Sequence, residues 1–252
     1  MSDVSDKPYE LRRPGGEVDT RRVFNLPGVV LATALLTVLL FVMIFIAPER
    51  AVRIIENGAG FSPLRFLAGP EANGGWMRLV SPLFGHMFVH ASIAHLLFNM
   101  LWFLAFGAPV ARRMGAEYAL QSFAALCAAG VFLTFYLLSG AVGALTFTLF
   151  HMNETTLLVG ASGGVSGLLG AVVRFAFNRT SLFGPEASRV SPLNSPSVLA
   201  WSAFVIVTNI AIGIYGAALT GGASIAWEAH IGGYLFGLLT YPFFERLARV
   251  FR

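Results

Sequence analysis

The chain has 252 residues, 56% of them hydrophobic and 12% charged, with 17 Lys and Arg against 13 Asp and Glu. Soluble domains carry about 25% charged residues, so this composition excludes an ordinary soluble protein and points to an integral membrane protein, as does the mean hydropathy of +0.71. A net charge of +4 could suggest a nucleic-acid partner, but the basic residues are spread as a membrane topology spreads them, which makes the lipid bilayer the partner instead.

Residues 1–25 read as a polar, mobile tail with Lys7, Arg12, Arg13, Arg21 and Arg22 around Pro14, Gly15 and Gly16. Six uncharged runs follow: Val23–Pro48, Leu79–Ala111, Tyr118–Asn153, Thr155–Val173, Val190–Trp227 and Ala229–Phe244. Against the roughly 20 residues that a spanning helix needs, they predict an all-α polytopic membrane protein with six transmembrane helices. Barrel strands are excluded, because these alternate apolar and polar residues over about 10 positions and the runs here are apolar all round.

Span one is expected over Leu26–Ala47, with no small-residue cleavage pattern close behind it, and reads as an uncleaved anchor. Pro48–Ser81 is too long for a simple connection and reads as an outer segment lying partly in the interface, where Trp76 is favoured. Span two is expected over His90–Val110 and span three over Tyr118–Leu138. Ser139–Val159 reads as an outer loop, its apolar Ala141–Phe150 stretch being too short to span. Span four is expected over Ala161–Phe177, an inner loop with three prolines over Asn178–Pro196, span five over Val198–Leu219 and span six over Ala229–Phe244. The domain thus covers 26–245, and 246–252 is a short basic end. Cys127, the only cysteine, leaves no intrachain disulfide to form.

With the N-terminus inside, cytoplasmic segments hold 13 Lys and Arg and outer segments only Arg50, Arg53, Arg65 and Arg78. The positive-inside rule therefore places both termini in the cytoplasm.

Strongly polar groups within spans are costly and by default functional. They are few here: His86, His90, His95 and Asn99 in or near span two, Ser162 and Ser166 in span four, His230 in span six. His95 and Asn99 share one helix face. The three even-numbered spans run from outside to inside, and each ends at an arginine that snorkels to water. At ~1.5 Å per residue, Ser162, Asn99 and His230 stand roughly 18, 20 and 24 Å from Arg174, Arg112 and Arg246. They share a level in the outer half of the membrane. A histidine in reach of a serine at a helix start can take its proton, while the helix N-terminus favours an oxyanion. The plainer reading is packing: Gly160 and Gly164, Gly163 and Gly167, and Gly233 and Gly237 sit at four-residue spacing and let helices approach closely. Gly160-Ala161-Ser162-Gly163-Gly164 also matches Gly-x-Ser-x-Gly, but the strand that motif requires is missing.

His90-Ala91-Ser92-Ile93-Ala94-His95-Leu96-Leu97-Phe98-Asn99, Gly160-Ala161-Ser162-Gly163 and Ala229-His230-Ile231-Gly232-Gly233 with Gly237 resemble, in order and spacing, a rhomboid intramembrane serine protease of the bacterial six-span type. The resemblance covers about Pro27–Glu245. It implies a rhomboid-like fold, Ser162 as nucleophile and His230 as general base in a dyad, His95 and Asn99 on the oxyanion, and His90 in a structural role. Gly163, Gly167, Gly233 and Gly237 would pack span six against span four, with Gly160 beside them. It also implies transmembrane segments as substrates, admitted near span five and the Thr220–Glu228 loop, and a bacterial inner-membrane location with the site open to the outer side. That chemistry calls for no cofactor and no metal. Two positions depart from the family pattern: its Trp-Arg pair appears as Trp76-Met77-Arg78, and Ser166 stands where some members carry an aromatic residue that supports the histidine ring. Two other readings are a non-catalytic rhomboid-like binder of transmembrane helices and a membrane metal protein built on His86, His90 and His95. The latter is short of carboxylate ligands.

Overall fold

In the computed structural model residues 26–117, 122–176, 190–219 and 225–251 are described. The expected tail, the first residues of span three, the end of span four with most of the inner loop, and Thr220–Ser224 lie outside these residues. With no water in the hydrocarbon layer, backbone polar groups pair within each segment, and the apolar runs become helices. Among the described residues there is no strand, only one antiparallel bridge between Phe61 and Leu158.

Helix α1 (Gly28–Phe45) buries Val29, Val30, Thr33, Ala34, Thr37 and Phe41 on one face. Its two threonines return their hydroxyls to Val29 O and Thr33 O, 2.8 and 2.9 Å away, so a polar atom on the packed face is satisfied without leaving the helix. The opposite face exposes Leu35, Leu39 and Met43, the pattern of a helix that meets lipid rather than water.

Five short helices follow: α2 (Glu49–Ala59), α3 (Pro63–Leu67), α4 (Gly69–Asn73), α5 (Trp76–Val80) and α6 (Pro82–Gly85). Prolines near the start of α3, α4 and α6 set these breaks, because a proline lacks the N–H that a continuing helix needs. Trp76 and Met77 of the departing motif open α5 with their side chains exposed.

The long helices are α7 (Ile93–Met114), α8 (Phe123–Phe150), α9 (Ser162–Phe175), α10 (Pro196–Leu219) and α11 (Trp227–Arg249). Ser92 and Ser122 cap α7 and α8 by accepting the N–H groups of His95 and Ala125, and Gly115 ends α7 in the left-handed region. Among the described residues four helices, α1, α7, α8 and α10, are long and apolar enough to cross a membrane on their own. Helix α9 has only 14 residues, and α11 carries Glu228 at one end and Glu245, Arg246 and Arg249 at the other. Phe103, Phe132, Phe135, Tyr136, Leu168 and Tyr241 fill the space between α7, α8, α9 and α11.

One expectation changes here. The stretch Ser139–Val159 is not an outer loop from its start, since α8 runs unbroken to Phe150. Ser139, Gly140 and Gly143 resemble loop residues in sequence, but they are buried contact points: Ser139 Oγ bonds Phe135 O at 2.8 Å, and a methyl on Gly143 would strike the Ala229 carbonyl. The basic end after residue 245 continues α11 as far as Arg249.

Arg174 also departs from the picture of a snorkelling side chain. It is buried, its Nε donating to Ser191 O at 2.8 Å and its guanidinium NH1 to Leu238 O at 2.6 Å. The second bond has a cause in the sequence. Pro242 lies four residues after Leu238 inside α11, and having no N–H it leaves the Leu238 carbonyl without its helical donor. Arg174 supplies the missing one, joining the inner end of α9 to α11. Nearby, Glu245 is buried between Arg113, 2.9 Å away, and Arg249, 3.0 Å away.

Candidate active site

Helix α9 begins at Ser162, and the chain reaches it through a turn that only glycine tolerates well: Gly160 has φ 112°. A side chain there would also collide with the His95 ring. Gly160 is therefore a turn and clearance residue outside α9, and not the helix-packing residue that its spacing from Gly164 suggests. Its N–H donates to His86 O at 2.8 Å. The paired bonds between Phe61 and Leu158, 3.0 and 2.8 Å, tie the same loop to the outer segment. No side chain caps α9, so its first N–H groups remain available to a ligand.

Ser162 Oγ lies 2.8 Å from His230 Nε2, across the contact of α9 with α11. Backbone meets backbone there. A methyl on Gly233 would overlap the Gly163 carbonyl, and one on Gly237 the Gly167 carbonyl. Gly170 belongs to the same seam, because a methyl on it would strike Tyr234 O and Leu238 N. It extends the glycine spacing by one more residue.

The other ring nitrogen, His230 Nδ1, is 2.9 Å from Asn209 Oδ1 on α10. Asn209 Nδ2 in turn donates to Val205 O at 2.8 Å. Sequence reading passes over Asn209, although an amide in an apolar span is itself a signal. Ser166, one turn after Ser162, brings no aromatic ring to the site.

His95 stands at the first turn of α7. Its Nδ1 accepts the Ala91 N–H at 3.4 Å, which leaves the proton on Nε2, the atom that faces Gly160. Asn99 lies one turn deeper and is buried; one amide N–H goes to His95 O at 2.9 Å and the second is available as a donor. His90 is buried edge-on to the His95 ring, centroids 5.1 Å apart. Among the described residues no group of three His, Cys, Asp or Glu is placed to hold a metal ion.

A further contact unforeseen from sequence lies at the outer end of α11. Glu228, buried two residues before His230, is 3.3 Å from His151 Nε2, while His151 Nδ1 meets Glu154 at 2.9 Å. The imidazole stacks on Phe147 with centroids 4.0 Å apart. The hydrogen bond from His151 holds the exposed Glu154 carboxyl below its ordinary range. A surface cleft of about 880 Å³ lined by Arg50, Arg53, Arg65 and Arg78 contains none of these residues.

The fold and the site define a helical integral membrane protein whose few polar side chains converge between helices near one end of the bundle. The family model of the rhomboid domain matches residues 73–246, and the chain belongs to the rhomboid family. It is similar to the "Rhomboid protease GluP" of Bacillus subtilis (strain 168), 32% identical over 112 residues that cover 44% of this chain and 18% of that protein. It is also similar to the "RHOMBOID-like protein 1" of Arabidopsis thaliana, 29% identical over 157 residues, 62% of this chain and 32% of that one. A third relative is the "Putative rhomboid protease YdcA" of Bacillus subtilis (strain 168), 31% identical over 120 residues, 47% of this chain and 51% of that one. The matched segments span about half or less of the length of these relatives.

Proposed function

We propose that the protein is an intramembrane serine endopeptidase acting on transmembrane segments through a Ser162–His230 dyad. The observation that carries this reading is the 2.8 Å contact between Ser162 Oγ and His230 Nε2 at the uncapped start of α9. Ser162 Oγ attacks the scissile carbonyl carbon as its proton passes to Nε2. The oxyanion is held by backbone N–H at the α9 start, His95 Nε2–H and an Asn99 amide N–H, each such donor being worth about 100- to 1,000-fold in turnover. Collapse breaks the C–N bond and the leaving amine takes the proton from Nε2. Water, with His230 again the base, then cleaves the acyl ester and restores Ser162.

In this reading the six long helices all span, both termini are cytoplasmic and the site opens toward the outer side, as the distribution of basic residues supports. The membrane is the inner membrane of a bacterium. The test is labelling of the purified full chain by a fluorophosphonate together with cleavage of a single-span substrate. Wild type is expected to label at Ser162 and to cleave, and Ser162→Ala and His230→Ala to do neither. A folded wild type that neither labels nor cleaves would leave the non-catalytic helix binder as the reading.

A further inference from the structure

A neutral imidazole has one N–H and one lone pair, so His230 can take the Ser162 proton only when its own proton sits on Nδ1. The group facing Nδ1 decides this, and here it is Asn209 Oδ1 at 2.9 Å. An amide can be turned either way, but the Asn209 amide is held by its second contact. Nδ2 donates to Val205 O at 2.8 Å, and the reversed amide would set oxygen against oxygen there and an N–H donor against Nδ1. The carbonyl end must face the histidine. A carbonyl oxygen only accepts, so the proton belongs on Nδ1 and the lone pair of Nε2 faces Ser162.

Among the described residues no other group faces Nδ1 for this task. Ser166, one turn after Ser162, offers no ring, and the carboxylate of Glu228 is engaged by His151 at the outer end of α11. The helix that carries Asn209 is the least embedded of the long apolar ones: 11% of its spanning window is buried, against 50% in α8.

Resting on the protease reading, we propose that Asn209 is the positioning residue of the dyad, a third member supplied by α10. It fixes the Nδ1–H tautomer and strengthens its hydrogen bond as the imidazolium forms, since a bond from a charged donor is the stronger one. Because it rides on α10, displacement of that helix from α11 removes the acceptor and disarms the base without moving Ser162.

The experiment follows the rate of fluorophosphonate labelling of Ser162 against pH in the full chain, in wild type, Asn209→Leu and Asn209→Asp. The leucine variant is expected to label about 100-fold more slowly, the lower end of what a positioned general base contributes. The aspartate variant keeps an acceptor and adds a negative charge that stabilises the imidazolium. It is expected to label within a few-fold of wild type at its optimum, with the acid limb of its profile moved to higher pH. A residue that only packs would not move that limb. Leucine labelling at the wild-type rate, or an aspartate profile with an unmoved limb, overturns the proposal. The tautomer is read separately on the wild type by ¹⁵N-histidine NMR, the His230 signals being those lost in His230→Gln. Nδ1–H is expected, and Nε2–H overturns the proposal even if the leucine variant fails to fold. A wild type that does not label sinks the protease reading, and the tautomer still decides the hydrogen bond.

Discussion

Two of the helices that pack on the histidine-bearing α11, α9 and α10, hold it by different means. Toward α9 the seam is glycine against carbonyl, with Gly163, Gly167, Gly170, Gly233 and Gly237 bringing two backbones to the distance of atoms in contact. Toward α10 the described contacts include two polar links, Asn209 to His230 and Ser202 Oγ to Tyr234 Oη at 2.8 Å, and a small apolar cluster around Val198, Val205 and Leu238. The first seam cannot shift by a fraction of an ångström without overlap. The second has hydroxyl and amide contacts that can break and reform. The difference assigns fixed distance to α9 and adjustable orientation to α10, and each half of that statement can be attacked separately.

The largest effect is expected from Gly233→Val. Its side chain meets the Gly163 carbonyl, so α11 must move away and carry His230 from Ser162. A displacement of about 1 Å costs on the order of 100-fold in rate, and the overpacking about 1–3 kcal/mol of stability. Labelling rate and thermal midpoint check both, and an unchanged rate breaks the idea of a rigid seam.

At the inner end of the same seam, Arg174→Met strips the donors from Ser191 O and Leu238 O. Each buried carbonyl left alone costs about 1–3 kcal/mol. The cause assigned to that bond can be tested, because Pro242→Ala returns an N–H to Leu238 O. The double variant is expected to recover roughly 1 kcal/mol of the loss, read as a coupling energy in a double-mutant cycle. Strict additivity would show that proline and arginine do not share the carbonyl.

His86 supports the fixed side from above. Its backbone oxygen holds Gly160, and its ring is buried with Nδ1 2.9 Å from Pro82 O. Burial lowers its pKa to about 4. The native state prefers the neutral ring, so stability is unaffected above about pH 6.5 and falls as the unfolded chain gains a proton between pH 6.5 and 4. The full loss is on the order of 3 kcal/mol. Thermal midpoints of wild type and His86→Gln between pH 7 and 4 check it: the wild-type decline should be steeper.

How much of this could be read beforehand depends on the residue. The spans are written in uncharged runs, and the Ser162–His230 approach is suggested by motif order and depth. Other features are hidden because their sequence signal means something else elsewhere. Ser139, Gly140 and Gly143 look like a turn and are the tightest face of α8. Arg174 looks like a membrane boundary and is a buried donor whose partner is visible only after Pro242 is placed four residues beyond Leu238 in space. Asn209 has no motif around it, and its role exists only because α10 brings it beside a ring on another helix.

The smallest effect is expected from Tyr234→Phe. The variant keeps the ring, which is fully buried against α9 and α10, and removes only the hydroxyl that meets Ser202. One neutral hydrogen bond is worth about 1 kcal/mol, too little to unfold the bundle and enough to change how often α10 is docked. If α10 docking sets the histidine tautomer, the labelling rate should fall by a few-fold in Tyr234→Phe while the thermal midpoint hardly moves. The same change in an Asn209→Leu background should then have no further effect, since the acceptor it helps to position is already gone. A loss that persists in that background would place Tyr234 on the rigid side of the comparison, acting on α9 through the ring that it packs there.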